Sequence, residues 1–189
     1  ITFSGVMGLA QSLGGLDKVG LITLDAHHDV RDGISNGSPI RQLIEAGLSG
    51  EHIVQIGISD FANSRYYAEK VREYGIHVID RARTRNEPMQ DIASAALAIA
   101  GEGHRAIYLD IDMDVCDRSV VPACPAATPG GLSADELRQL VALITSDPRV
   151  RMADITEIDS SIDSADGRTT RLAALVILEI ATSRALLQQ

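Results

Sequence analysis

The chain has 189 residues, 45% hydrophobic and 23% charged, a balance that suits one globular domain with a sizeable core and does not suit a disordered chain. With 17 basic against 26 acidic residues its formal net charge is -9, which opposes binding to nucleic acid or an anionic membrane. The longest apolar run near the C-terminus, Leu172 to Leu178, falls far short of the roughly 20 residues that span a bilayer, and reads as a core helix.

The chain opens on Ile1, without methionine, signal peptide or basic amphipathic leader, and moves directly into a helix-like stretch, Val6 to Leu13. We therefore expect a further segment upstream. Apolar strand candidates then recur at Val19 to Leu24, His52 to Ile58, His77 to Ile79, Ala106 to Ile111 and Ala153 to Ile158. Segments with helical periodicity separate them: Ala62, Tyr66, Val71 and Tyr74, ended by Gly75, then the alanine-rich stretch from Asp91 to Ala100. Ser133 and Glu136 form a capping box ahead of Leu137, Leu140, Val141 and Ile144 on one helical face, and Thr170 to Leu187 reads as a closing amphipathic helix. Strands alternating with helices predict a parallel α/β sheet, with residues 1–189 as a single domain. Cys116 and Cys124 do not make a disulfide framework, and free thiols in a cytoplasmic protein are expected.

Acid appears where two of these strands end. LDAHHD follows the first, at Leu24 to Asp29, and LDIDMDVCD closes the fourth, at Leu109 to Asp117. If the extended backbone persisted, Asp25, His27 and Asp29 would share one face, as would Asp110, Asp112 and Asp114, with same-face neighbours roughly 6.5 to 7 Å apart. Converging carboxylates raise one another's pKa unless a cation sits between them. Oxygen ligands with one imidazole fit Mn²⁺, and Mg²⁺ or Fe²⁺ less well; the absence of thiolate spacing argues against structural zinc. Other readings of the same residues are a solvated acidic turn, a calcium loop and an aspartyl nucleophile. The calcium loop fails, because its sixth and twelfth positions counted from Asp110 are Val115 and Val121 rather than glycine and glutamate. An aspartyl nucleophile leaves the histidine-containing cluster unexplained. Asp110 and Asp117 are expected to accept hydrogen bonds from loop amides rather than to bind metal. Two irregular segments, Arg31 to Pro39 and Arg118 to Gly131, follow the acidic clusters and should wall a crevice beyond the carboxyl ends of the strands. Glu157, near the end of the last strand, could hold a cationic amidine or guanidine by paired hydrogen bonds.

Taken together, Asp25-Ala26-His27-His28-Asp29, Asp112-Met113-Asp114 with Asp117, and the PGG of Pro129 to Gly131 resemble the ureohydrolase family of arginases, agmatinases and formimidoylglutamases. The resemblance runs from Ile1 to the C-terminal helix. It implies an arginase-like three-layer α/β/α sandwich around a central parallel sheet, with N-terminal strands missing, and two Mn²⁺ ions. By the same resemblance Asp25 and Asp112 would bridge the ions, His27 and Asp114 would serve one, and Asp29 the other. One family ligand, a histidine in a GGDH-type motif, would lie upstream of Ile1. Two ions lower the pKa of water enough to give a nucleophile near neutral pH for attack on an amidine carbon. Glu157 would orient the substrate's C–N group, and Asp29 would relay a proton to the leaving nitrogen. The family commonly forms trimers or hexamers, so a homo-oligomer is implied.

Asn36 stands where arginases and agmatinases carry a histidine before glycine. Asn36 to Gln42 instead resembles the G-S/T-P-F-R-Q segment of formimidoylglutamases, as does Asp60 to Ser64. The implied substrate is N-formimidoyl-L-glutamate, a dianion for which Asn36, Arg31 and Arg41 would form the mouth of the site. Alternatives are an agmatinase or guanidino-acid hydrolase releasing urea, and a non-catalytic metal-binding or assembly subunit. The chain departs from the family pattern at Asp110, where a small polar residue is common, and at Arg118, where proline is common.

Overall fold

A computed structural model describes residues 1–187. Five strands form one sheet: β1 (Val19–Leu24), β2 (Ile53–Ile58), β3 (His77–Asp80), β4 (Ala106–Asp112) and β5 (Val150–Thr156). Their order is β3-β2-β1-β4-β5 and every pairing is parallel. β1 and β2 are buried along their whole length, as continuous runs of aliphatic residues require when both faces are covered.

Alternate residues of the central strands enter two separate cores. Val19, Leu21 and Tyr108 meet α1 (Thr2–Leu13), α2 (Pro39–Ala46) and α3 (Arg65–Glu73) through Val6, Leu9, Ile40, Leu43 and Val71. Ile22, Leu24, Leu109 and Ile111 face the other way. α4 (Arg81–Asn86) is a short helix at the carboxyl end of β3, and the second core is completed by α5 (Met89–Ala100), α6 (Ala134–Thr145) and α7 (Arg168–Leu186). The result is the expected α/β/α sandwich. Helix α6 starts at the expected capping box: the Ser133 side chain accepts from the Glu136 amide at 3.2 Å, and the Glu136 carboxylate accepts from the Ser133 amide at 2.7 Å.

Among the element boundaries that differ from the sequence expectation, three have a clear local reason. His52 belongs to a 3-10 turn that delivers the chain into β2. β5 begins at Val150 and ends at Thr156, because Glu157 takes a left-handed conformation (φ 61°) that no strand tolerates. β4 stops at Asp112, whose carboxylate accepts from the Asp114 amide at 2.8 Å and starts a 3-10 turn, Met113–Val115. The face-sharing geometry of an extended D-x-D-x-D run therefore applies to Asp110 and Asp112 but not to Asp114. α7 buries Leu172 and Val176, while Leu175, Ile177 and Leu178 stay exposed. No helix among the described residues is long and apolar enough to cross a membrane.

Candidate metal centre

Parallel strands bring every carboxyl terminus to one edge of the sheet, and the acidic residues collect there. β1 is central, so the loop leaving it lies between the ends of β2 and β4. The Asp25 amide still donates to Ile56, and the carbonyl of Ala26 accepts from the Ser59 amide, both at 3.0 Å. The turn after β4 carries Asp114 back over this loop. Its carboxylate accepts from the Ala26 amide at 2.9 Å and meets His27 Nδ1 at 2.6 Å. Asp25, His27 and Asp114 thereby offer ligand atoms that all lie within 4.8 Å of one another.

Neighbours hold the loop rigid. Asn63 donates to the Ala26 carbonyl and accepts from the His28 amide, both at 3.0 Å. His28 turns away from the cluster: its Nδ1 meets Gln55 Oε1 at 2.7 Å, and Gln55 donates to the His28 carbonyl at 2.9 Å. Burial, and then the charge of His27, hold the His28 pKa below the usual imidazole value against the Gln55 hydrogen bond, which favours the protonated ring, whereas the Asp114 carboxylate beside His27 raises that of His27.

The carboxylates are buried with too few cations to balance them. Asp25 is 2% exposed; its burial, then the charges of Asp29, Asp112 and Asp114, push its pKa well above the carboxylate range. Asp112 is raised to about 9 by burial and by Asp114, and Asp29 to about 7, mainly by burial. Asp114 goes the other way: burial alone would raise it, but the hydrogen bond from His27 and the charge of that ring hold it low. A bound divalent cation would relieve this repulsion, and the oxygen-rich donor set with one imidazole suits a hard or borderline ion. The residues present therefore fit a metal.

Beside the triad lies a cleft of about 370 Å³ lined by Asp29, Asp112, Glu157, Asn36 and Gln42, among others. Asp110 also reaches its wall, where it accepts from the Thr2 hydroxyl at 3.1 Å rather than from a loop amide. Asp117 does accept from amides, of Ser119 at 2.8 Å and Gly130 at 2.6 Å, and so ties down the loop that leads to Gly131. Gly131 is dictated by space: a Cβ there would lie 2.3 Å from the Cys116 carbonyl carbon and 2.5 Å from the Asp117 nitrogen.

The two arginines expected at the mouth do not line this cleft. Arg41 is 9% exposed, and its Nε donates to the Arg31 carbonyl at 2.8 Å while its other nitrogens reach Gly33 O and Glu45. The irregular 31–38 loop leaves carbonyls without strand or helix partners, and Arg41 satisfies them. Arg31 is exposed and borders an adjoining hollow with His27, Asp29 and Tyr67. A larger cavity, about 590 Å³, opens at the opposite edge of the sheet among Lys18, Arg105, Arg149 and Arg151, away from the acidic cluster.

Two features of the site were not read from the sequence. Asp29 (φ 53°) and Glu157 (φ 61°) are two of the three non-glycine residues with left-handed backbone among the described residues, and both border the cleft. Such conformations cost free energy and persist where the surroundings over-determine them. The other is Arg81, buried beneath the cluster.

Residues 1–182 match the family described as the arginase family. The chain belongs to it. The formimidoylglutamase of Bacillus subtilis (strain 168) is 35% identical over 183 residues, 94% of this chain and 56% of that protein. The formimidoylglutamase of Halalkalibacterium halodurans is 38% identical over 183 residues, with the same coverage of 94% and 56%. The arginase-family chain thus spans little more than half the length of these relatives. The crystal structure of the B. subtilis formimidoylglutamase superposes with a TM-score of 0.92 at 33% identity, covering 98% of this chain and 58% of that one. An oxidized Trypanosoma cruzi formiminoglutamase structure with Mn²⁺ gives a TM-score of 0.84 at 25% identity, covering 96% and 60%.

Proposed function

We propose that the protein carrying this arginase-family chain is a dinuclear-manganese hydrolase that cleaves the amidine C–N bond of N-formimidoyl-L-glutamate, giving glutamate and formamide. The observation that carries the reading is the convergence of Asp25, His27 and Asp114 to within 4.8 Å beside a cleft that also holds Asp112, Asp29 and Glu157. The likeness to formimidoylglutamases supports the substrate, as do Mn²⁺ in the T. cruzi relative for the metal and Asn36 in the cleft wall for the branch. Residues 1–189 then form an arginase-type domain, completed by a segment upstream of Ile1 that supplies a further ligand, in a cytoplasmic homo-oligomer.

When bound, two divalent ions acidify water and supply a nucleophile near neutral pH. The chain's own residues divide the remaining work. Asp25 and Asp112 would bridge the ions, His27 and Asp114 would hold one, and Asp29 would hold the other. Glu157, at the end of β5, accepts hydrogen bonds from the substrate's amidine nitrogens and fixes the C–N group over the cluster. Asp29, on the cleft wall beside the metal ligands, would accept a proton and pass it to the departing nitrogen. Asn36 offers its amide to the substrate's carboxylate end from the cleft wall, Arg31 supplies positive charge from the adjoining hollow, and Arg41 acts through the loop it holds.

The full-length protein, loaded with Mn²⁺, is to be assayed for formamide from N-formimidoyl-L-glutamate and for urea from agmatine and guanidino acids. Formamide release is expected. Urea release without turnover of formimidoylglutamate would overturn the substrate assignment.

A further inference from the structure

Arg81 is the first residue of α4, a helix capped by Asp80, whose carboxylate accepts from the Arg83 amide at 2.9 Å. It is charged, yet only 3% exposed, and no carboxylate among the described residues takes its hydrogen bonds. Its donors go to β2 and to three loop or turn segments instead. Nε donates to the Gly57 carbonyl at 3.1 Å, Nη1 to Ser59 Oγ at 3.3 Å and Thr128 Oγ1 at 3.2 Å, and Nη2 to the Asp114 carbonyl at 3.3 Å.

These contacts close a ring around the metal ligands. Arg81 holds Ser59; the Ser59 amide donates to the Ala26 carbonyl; the Ala26 amide donates to the Asp114 carboxylate; and the Asp114 carbonyl returns to Arg81. Ala26 lies between Asp25 and His27, so one ring fixes the separation of all three candidate ligands. Gly57 adapts the sheet to it. The β2–β3 register shifts between Ile56 and Ile58, and Gly57 takes φ 95°, where a Cβ would lie 2.3 Å from Val115 Cγ2. A guanidinium is required because its donors form a rigid planar fork that spans several acceptors, whereas an ammonium concentrates its donors at one point.

We propose that Arg81 is a positioning residue for the metal centre, locking the Asp112–Asp114 turn onto the Asp25–His27 loop in the geometry that binds Mn²⁺. This rests on the metal-hydrolase reading above, and its test separates the two. Mn²⁺ binding to the full-length protein is measured by calorimetry after chelator treatment, alongside kcat and KM, for the unaltered protein and Arg81→Lys. The lysine variant is expected to keep its circular dichroism spectrum and to bind Mn²⁺ roughly tenfold or more weakly, the loss typical when a group orienting a ligand is removed. Its kcat falls and KM stays within about twofold, since Arg81 does not reach the cleft. A folded lysine variant with unchanged Mn²⁺ affinity overturns the proposal, even if its melting temperature drops. If that variant does not fold, Ser59→Ala, which removes one acceptor from the ring, decides the question: weakened Mn²⁺ binding supports the proposal and unchanged binding overturns it. Failure of the unaltered protein to bind Mn²⁺ would overturn the metal reading, and this proposal with it.

Discussion

Metal-free protein should lose stability as pH rises through neutrality, the reverse of what ion-paired or hydrogen-bonded carboxylates produce. Ordinary aspartates titrate near 3.9, while Asp29 is raised to about 7 and Asp112 to about 9, both first by burial. A carboxyl whose folded pKa is raised binds more protons folded than unfolded, so its contribution is present at low pH and is lost as pH climbs toward the folded pKa. Each pH unit of that interval is worth about 1.4 kcal/mol for one group. Between pH 5.5 and 8.5 Asp29 alone would account for about 2 kcal/mol and Asp112 for about 4 kcal/mol. Their repulsion of common neighbours is shared, so the expected net loss is on the order of 4 kcal/mol. His27, also raised, acts in the same direction, whereas the lowered His28 opposes it. Urea unfolding of chelator-treated protein at the two pH values measures the difference, and saturating Mn²⁺ should abolish or invert it by replacing protons with a cation. Metal-free stability that is flat or rising between pH 5.5 and 8.5 would refute the carboxylate-repulsion argument.

Asp112→Ala should reduce turnover by at least about a thousandfold and lower the Mn²⁺ stoichiometry, both read on the purified full-length protein; unchanged activity would remove Asp112 from the metal centre. Gly131→Ala should cost more than about 2 kcal/mol in urea unfolding, because the new methyl meets backbone atoms of Cys116 and Asp117 that cannot rotate away. Ser133→Ala should cost about 1 kcal/mol by removing the α6 cap, with Mn²⁺ affinity unaffected because the cap lies outside the acidic cluster.

The parts legible in the sequence are those written as local pattern. Aliphatic runs marked four of the five strands to within a residue at either end, since burial on both faces demands such runs whatever the tertiary detail. The Ser133–Glu136 box marked the start of α6 because both partners are three residues apart. Distant pairings are written nowhere in such patterns. Arg81 sits in RARTRN, a stretch that looks like a solvated helix face, and its acceptors lie 22 to 47 positions away. Arg41 was equally misleading, because only the folded 31–38 loop reveals which carbonyls need a donor.

The left-handed backbone at Asp29 and Glu157 connects this lesson to mechanism. At Glu157 the residue type does not announce the conformation, and at Asp29 it does so only weakly, since a short aspartate side chain visits the left-handed region more readily than most. At Asp29 the surroundings supply a reason for it to persist. Its carbonyl accepts from the amides of Ile40 and Arg41, at 3.1 and 3.3 Å, which belong to the first turn of α2 and have no partner within that helix. Loss of the turn would leave those donors unpaired as well as release the strain, so helix and loop stabilise one another. The same contact reverses the chain after His27 and brings Asp29 to the cleft wall instead of continuing the direction of β1. A side chain held in this way spends little entropy when it takes up metal or substrate, and the stability of α2 is part of what holds it.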